Sequence, residues 1–304
     1  MTVETAHDRK RNGLVAAFCA YTMWGFLPIY FKAVQQVPAL EILAHRVIWA
    51  VPFGALIIAA RRQWPEVRRA VLDRRTLGFL ALAAVFIAIN WLVYVLAVQR
   101  AQIFQASLGY YINPLMYVLI GVLFLGERLR RFQIAAVALA AAGVAVLTIS
   151  GGVFPIISLT LATSFTIYGV IRKQTVVGGM PGLFIETVIL LPVALGYVAV
   201  SMRAGSAVFG TVSLGQDALL GLAGPFTVLP LLCFALAARR LNLSTLGFMQ
   251  FIAPTLQFVA GLYYGERLSA AHAVCFVCIW TAVALFSLDA WQSSRRRVPL
   301  APPA

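Results

Sequence analysis

Glu41, His45 and Arg46 bring three ionisable side chains into an otherwise apolar stretch. Glu41 and His45 are four residues apart, so a helix places them on one face. An imidazole titrates near neutrality, which gives this pair the chemistry of a proton-sensitive coupling or gating element. The competing reading is an interfacial ion-pair cluster with Lys32 that fixes one helix against its neighbour. Glu186 follows Pro181-Gly182-Leu183 much as Glu41 follows Pro38-Ala39-Leu40. The two carboxylates are therefore candidate equivalents, one near each end of an apolar path, suited to gating opposite sides. Pairing of Glu186 with Lys173 or a backbone donor is the structural alternative.

A second set of residues is uncharged. Asn90, Trp91 and Tyr94 lie within one turn of each other. Tyr110, Tyr111, Asn113 and Pro114 form another group, and Phe248, Gln250 and Pro254 a third. A proline removes a helical hydrogen bond and frees a carbonyl. Such breaks persist in lipid only where protein or a wet cavity satisfies the freed groups. Paired interruptions therefore point to a binding cavity with aromatic walls; kinks made for packing alone are the alternative. Trp24-Gly25 and Tyr168-Gly169 read as close helix contacts. Glu127 and Glu266 read as structural, pairing with Arg128 or Arg267 or capping the next helix.

These residues need elements that live in lipid. The 304-residue chain is 62% hydrophobic and 11% charged, with a mean hydropathy of +0.89. Ten apolar runs approach the roughly 20 residues that span a hydrocarbon core. They are Leu14–Phe31, Ile42–Ala60, Leu77–Val98, Ser107–Leu125, Ile134–Ile149, Val153–Ile171, Leu183–Val200, Ala218–Ala238, Leu246–Tyr264 and Ala270–Leu288. They are apolar all round, unlike the alternating strands of a membrane barrel. Arg9-Lys10-Arg11 ahead of the first run imitates a signal peptide, but the run is too long for one and reads as a retained helix.

The net charge of +14 does not mean nucleic-acid binding, because no soluble domain carries the basic residues. With the N-terminus inside, 19 of the 24 Lys and Arg residues fall on cytoplasmic segments, as the positive-inside rule requires. Both termini are then cytoplasmic. The connection from Arg61 to Thr76 is the most basic and reads as a solvated loop whose arginines meet headgroups. Cys19, Cys233, Cys275 and Cys278 all lie in apolar runs. Packing accounts for them, Cys275-x-x-Cys278 included, because buried thiols behave as small hydrophobes.

The chain repeats itself. Leu108-Gly109-Tyr110, Pro114 and Gly126-Glu127-Arg128-Leu129 recur in the same order as Leu246-Gly247-Phe248, Pro254 and Gly265-Glu266-Arg267-Leu268. Each copy closes the fourth helix of five. Five is odd, so the second half enters the membrane upside down, the inverted-repeat layout of transporters. The expected organisation is an all-α membrane protein of ten spans. Residues 12–149 form one five-helix repeat and 153–290 the other. Residues 291–304, with Arg295-Arg296-Arg297 and three prolines, are expected to be a disordered cytoplasmic tail.

Several stretches resemble a known group. They are Pro38-Ala39-Leu40-Glu41-Ile42-Leu43-Ala44-His45-Arg46, Asn90-Trp91-Leu92-Val93-Tyr94, Ser107 through Leu115, and Ser244 through Thr255. With the repeat, they resemble the EamA family of the drug/metabolite transporter superfamily, and within it the RarD subfamily, over residues 12–290. The resemblance implies a permease of a bacterial inner membrane with a central cavity between its halves. It implies no catalytic set and no substrate.

The reading is a secondary active transporter working by alternating access on a small solute. Its partners are that solute and the lipid bilayer; a homodimer is compatible with it. No cofactor or metal is expected, and no G-x-x-x-x-G-K-[ST] loop for ATP is present. Aromatic walls with little net charge favour amphipathic or amino-acid-like solutes. A membrane-embedded enzyme would need convergent His, Asp, Ser or Cys residues, and the chain has three His, none in an H-E-x-x-H motif. A channel is the remaining alternative, separable by saturable counterflow.

Overall fold

The computed structural model describes residues 6–125, 131–150, 152, 154–241, 245–246 and 249–296. Among them every regular element is a helix. The first half holds α1 (Ala6–Gly25), α2 (Leu27–Ala33), α3 (Ala39–Ala60), α4 (Trp64–Leu72), α5 (Arg74–Gln99), α6 (Ile103–Leu125) and α7 (Arg131–Ile149). The second holds α8 (Ile156–Lys173), α9 (Gly179–Arg203), α10 (Leu214–Gly221), α11 (Ala223–Ala238), α12 (Ile252–Tyr263) and α13 (Ala270–Arg296). Seven segments among the described residues are long and apolar enough to cross a membrane; one joins α1 to α2 and another joins α10 to α11. The protein is a multi-pass membrane protein. Large apolar side chains such as Leu56, Val193 and Val277 point outward, which explains why the runs are apolar on every face.

The element ends follow local chemistry. Pro38 fixes an extended backbone ahead of α3, as the restricted φ of proline allows. Asp73 caps α5, accepting from the Arg75 amide at 3.1 Å and the Thr76 hydroxyl at 2.5 Å, the usual use of an aspartate there. Pro28 lies in the first turn of α2, just after the break at Phe26.

Two expectations change and a third is refined. The connection from Arg61 to Thr76 is not simply a loop. It contains α4, whose Val67 and Ala70 are buried while its arginines face out, an amphipathic division. The last helix runs to Arg296, well past Leu288 and into the expected tail; residues 297–304 lie outside the described set. Pro254 is the third residue of α12, and the interruption expected of it falls just before it, at the turn of Gln250 and Phe251 between helical Met249 and Ile252. A first-turn proline lacks an N–H that would be unpaired anyway, so it is accommodated there, whereas Pro114 lies inside α6.

The main helix contacts are α3 with α9, α7 with α13, α6 with α12, α5 with α8, α1 with α11, α6 with α8, α1 with α12, α3 with α11 and α5 with α9. Glycines permit the closest of these. A Cβ at Gly224 of α11 would strike the Trp49 carbonyl of α3, and one at Gly143 of α7 would lie 2.8 Å from Cys278 Cβ of α13. Small residues at such crossings are how membrane helices approach one another.

Candidate functional site

Arg46 lies at the centre of the bundle. Its side chain comes off the second turn of α3 and only 6% of the residue is exposed. Its Nε donates to Thr227 Oγ1 of α11 at 2.8 Å. The guanidinium sits 4.1 Å from the centroid of the Trp91 ring on α5 and 5.9 Å from that of Phe31 on α2. Tyr30, Tyr94 and Tyr110 lie within its electrostatic reach. Among the described residues no carboxylate is within ion-pair distance of it.

Beside it, Asn90 of α5 ties three helices together. Its Nδ2 donates to Leu161 O and Ser164 Oγ of α8, both at 3.0 Å, and its Oδ1 accepts from Tyr110 Oη of α6 at 3.2 Å. Tyr110 stacks obliquely on Tyr94 at 5.7 Å and meets Phe165 edge-on. Tyr94 is buried with its hydroxyl unpaired. The arrangement is a buried cation, an amide and a run of aromatic rings, contributed by helices from both ends of the chain. Buried polar groups in a membrane are costly and mark functional sites by default.

Glu41 is only 1% exposed. Its Oε1 accepts from the Val208 and Phe209 amides at 2.8 and 3.0 Å, in the connection between α9 and α10. His45 does not bond Glu41. Its ring packs on Phe209 at 4.5 Å, and both ring nitrogens lack partners. Nor does Lys32 join an ion pair with Glu41; its ammonium sits over the Tyr264 ring. Glu186 pairs with Arg172 Nε at 3.4 Å, not with Lys173, and accepts from Tyr168 Oη at 3.3 Å. Glu186 is the eighth residue of α9, and Arg46 the eighth of α3.

Comparison with known proteins decides the family. Residues 11–149 match the model of the "EamA-like transporter family". The chain is 45% identical to "Protein RarD" of Salmonella typhi over 290 residues, covering 95% of this chain and 99% of that one. It is 44% identical to "Protein RarD" of Escherichia coli, covering 95% and 98%. An "Uncharacterized transporter" of Vibrio cholerae is 45% identical, covering 92% and 93%. The chain belongs to the EamA-like transporter family, in its RarD subfamily. A crystal structure 19% identical to it superposes with a TM-score of 0.60, covering 92% of this chain and 98% of that one, a likeness of fold.

In this EamA protein the other expected residues divide. Asn113 is buried beside Pro114 with its Oδ1 unpaired. Gln250 is half-buried at the turn before α12. Pro254 O accepts from Ser107 Oγ at 2.8 Å. Phe248 and Glu127 lie outside the described residues. Glu266 caps neither neighbour: its carboxylate accepts from the Ile103 and Phe104 amides at the start of α6. Trp24-Gly25 and Tyr168-Gly169 are packing contacts, against Leu256 and Tyr117. Cys275 is buried, and all four cysteines are free. Among the described residues no His, Cys, Asp or Glu cluster could hold a metal.

Four participants were not singled out from sequence. Thr227, Ser164 and Gln257 are isolated polar residues in apolar runs; Gln257 is buried and donates to Trp24 O at 3.3 Å. The cost of a lone polar group in lipid was the signal that could have found them. Glu66 accepts from the Gly178 amide at 2.8 Å, and nothing in the sequence joins two residues so far apart.

Proposed function

We propose that this protein is a secondary carrier of a small solute in a bacterial inner membrane, built from two inverted five-helix repeats. The single observation that supports this best is the pattern of helix contacts. Take the spans as α1–α2, α3, α5, α6 and α7, then α8, α9, α10–α11, α12 and α13. Exchanging the two halves turns α5 with α8 into α11 with α1, α6 with α8 into α12 with α1, and α3 with α11 into α9 with α5. The pairs α3 with α9, α6 with α12 and α7 with α13 map onto themselves. That is the signature of a twofold relation between halves, and an odd span count per half puts its axis in the membrane plane.

On this reading residues 12–149 and 153–290 are the two halves, both termini are cytoplasmic, and the Arg46–Asn90–Tyr110 cluster between the halves holds the solute. Trp91 and Tyr94 line it. Asn113 and Pro114 lie on the same helix as Tyr110, and Gln250 and Pro254 precede and open α12. Rocking of the halves exposes the site to each side in turn. Glu41 closes the outer side by gripping the Val208–Phe209 backbone across the halves. Glu66 closes the inner side by gripping Gly178 across the halves. Glu186 and Arg172 both belong to the second half, so their pair stiffens that half. His45, with both ring nitrogens unpaired, is the candidate proton-responsive group beside the outer closure.

Reconstitution tests this. Proteoliposomes preloaded with a metabolite mixture should show saturable counterflow, slowed in Asn113→Ala and Glu41→Gln proteins that remain monodisperse. Non-saturable flux without counterflow would make the protein a channel.

A further inference from the structure

Arg46 carries a charge with nothing to balance it. A guanidinium has five N–H donors. Thr227 uses one, at Nε, and among the described residues no acceptor takes the remaining four. Leaving a charge buried and unpaired is among the most costly arrangements in a protein. The rings of Trp91 and Phe31 offset part of that cost, because the π-face attracts a cation. No acidic side chain among the described residues supplies the rest.

What surrounds the free edge is equally informative. Tyr94 is fully buried with an unpaired hydroxyl. Tyr30 and Tyr110 are already committed as donors, to Leu219 O and Asn90 Oδ1. The site thus offers a planar fork of donors, one spare hydroxyl and aromatic walls. Arginine matches a carboxylate in two parallel hydrogen bonds, a geometry that lysine cannot supply. Among the described residues no second cation joins Arg46 in the cluster, so a doubly charged phosphate would be left half neutralised.

Resting on the carrier reading above, we propose that the transported solute is a small organic monoanion. Its carboxylate is held by the Arg46 Nη groups and its apolar body lies against Trp91, Phe31 and Tyr94. Binding removes the charge imbalance in the core. A neutral solute leaves it, and a cation worsens it.

The full-length protein in nanodiscs decides the matter. Benzoate, 3-phenylpropionate and hexanoate serve as probes, each against its own amide, with binding read by thermal shift and tryptophan fluorescence. At least one acid should bind, and its amide should bind at least about tenfold more weakly, the worth of a charge-assisted hydrogen bond. In R46Q the acid and its amide should become equal. R46K should keep a reduced preference for the acid, and T227V, which frees Nε, should weaken acid binding while keeping the preference.

Equal binding of acid and amide by the wild-type protein overturns the inference. So does an acid preference that survives in R46Q, or the failure of every acid to bind. If R46Q does not fold, the acid-to-amide ratios in wild type and R46K decide by themselves. Counterflow of labelled benzoate separates the two claims. Arg46-dependent binding without counterflow keeps the anion site and ends the carrier reading. Counterflow of neutral or cationic solutes that acids do not inhibit does the reverse.

Discussion

The Glu186–Arg172 pair allows a quantitative test. The two charges are 3.4 Å apart, and their side chains are 1% and 14% exposed. At an effective dielectric of about 20 their gross attraction is about 5 kcal/mol, most of it cancelled by desolvation. The consequence of removing either partner is unequal. Without Glu186, Arg172 still donates to Val177 O, Gly178 O and Thr175 Oγ1, and it can reach water. E186Q should therefore cost about 1.5–2.5 kcal/mol, the range of one hydrogen bond to a charged group. Without Arg172, Glu186 keeps only the Tyr168 hydroxyl and cannot reach solvent. R172M should cost about 3–5 kcal/mol, as for an orphaned buried charge. Denaturant titration in mixed micelles, followed by tryptophan fluorescence, gives both values and the double-mutant coupling. If R172M proves no more costly than E186Q, the argument from unequal burial is wrong. G182A offers an independent check, since a Cβ there collides with the Arg172 guanidinium and should reproduce part of the R172M loss.

Other perturbations read other contacts. E41Q weakens the acceptor for two amides, so hydrogen exchange at Val208 and Phe209 should speed up by about tenfold; unchanged exchange would show that the carboxylate does not hold this connection. G224A pushes α11 off the Trp49 carbonyl and should destabilise by about 1–3 kcal/mol, as overpacking does; a neutral effect in the same titration would mean the crossing has slack. N90L orphans the Tyr110 hydroxyl and should cost about 1–2 kcal/mol together with a slower counterflow; full activity would remove Asn90 from the site. In a cysteine-free background, S150C and S294C should label from opposite faces of the membrane, and same-side labelling would end the antiparallel arrangement of the halves.

The helical, membrane-embedded nature of the chain was legible because composition and run length alone dictate it. Family membership was legible in stretches such as Asn90 through Tyr94. Arg46 was legible as an expensive residue, but its role was not. Sequence placed it with Glu41 and His45 because they are neighbours along α3. The structure turns them toward different partners: Arg46 toward Trp91 and Thr227, Glu41 toward the Val208–Phe209 backbone. Glu41 and Glu186 share a Pro-x-Leu lead-in but meet different partners, a backbone connection in one case and Arg172 in the other, which a local motif does not encode. Helix α4 was hidden by its arginines, which outweigh two buried apolar residues in any composition count.

Glu41, Glu66 and Glu266 share one habit: each carboxylate accepts from main-chain amides across the halves, at Val208 and Phe209, at Gly178, and at Ile103 and Phe104. Any residue except proline supplies such an amide. Substitution at Val208, Phe209, Ile103 or Phe104 therefore keeps the donor in place, whereas at Gly178 a Cβ would lie 3.1 Å from the Glu66 Oε1 it serves; loss of a glutamate cannot be rescued by a compensating change opposite it. In an evolutionary comparison the Glu41 and Glu266 columns should stand fixed with no covarying mate, and methods that infer proximity from correlated exchange will be blind to those contacts.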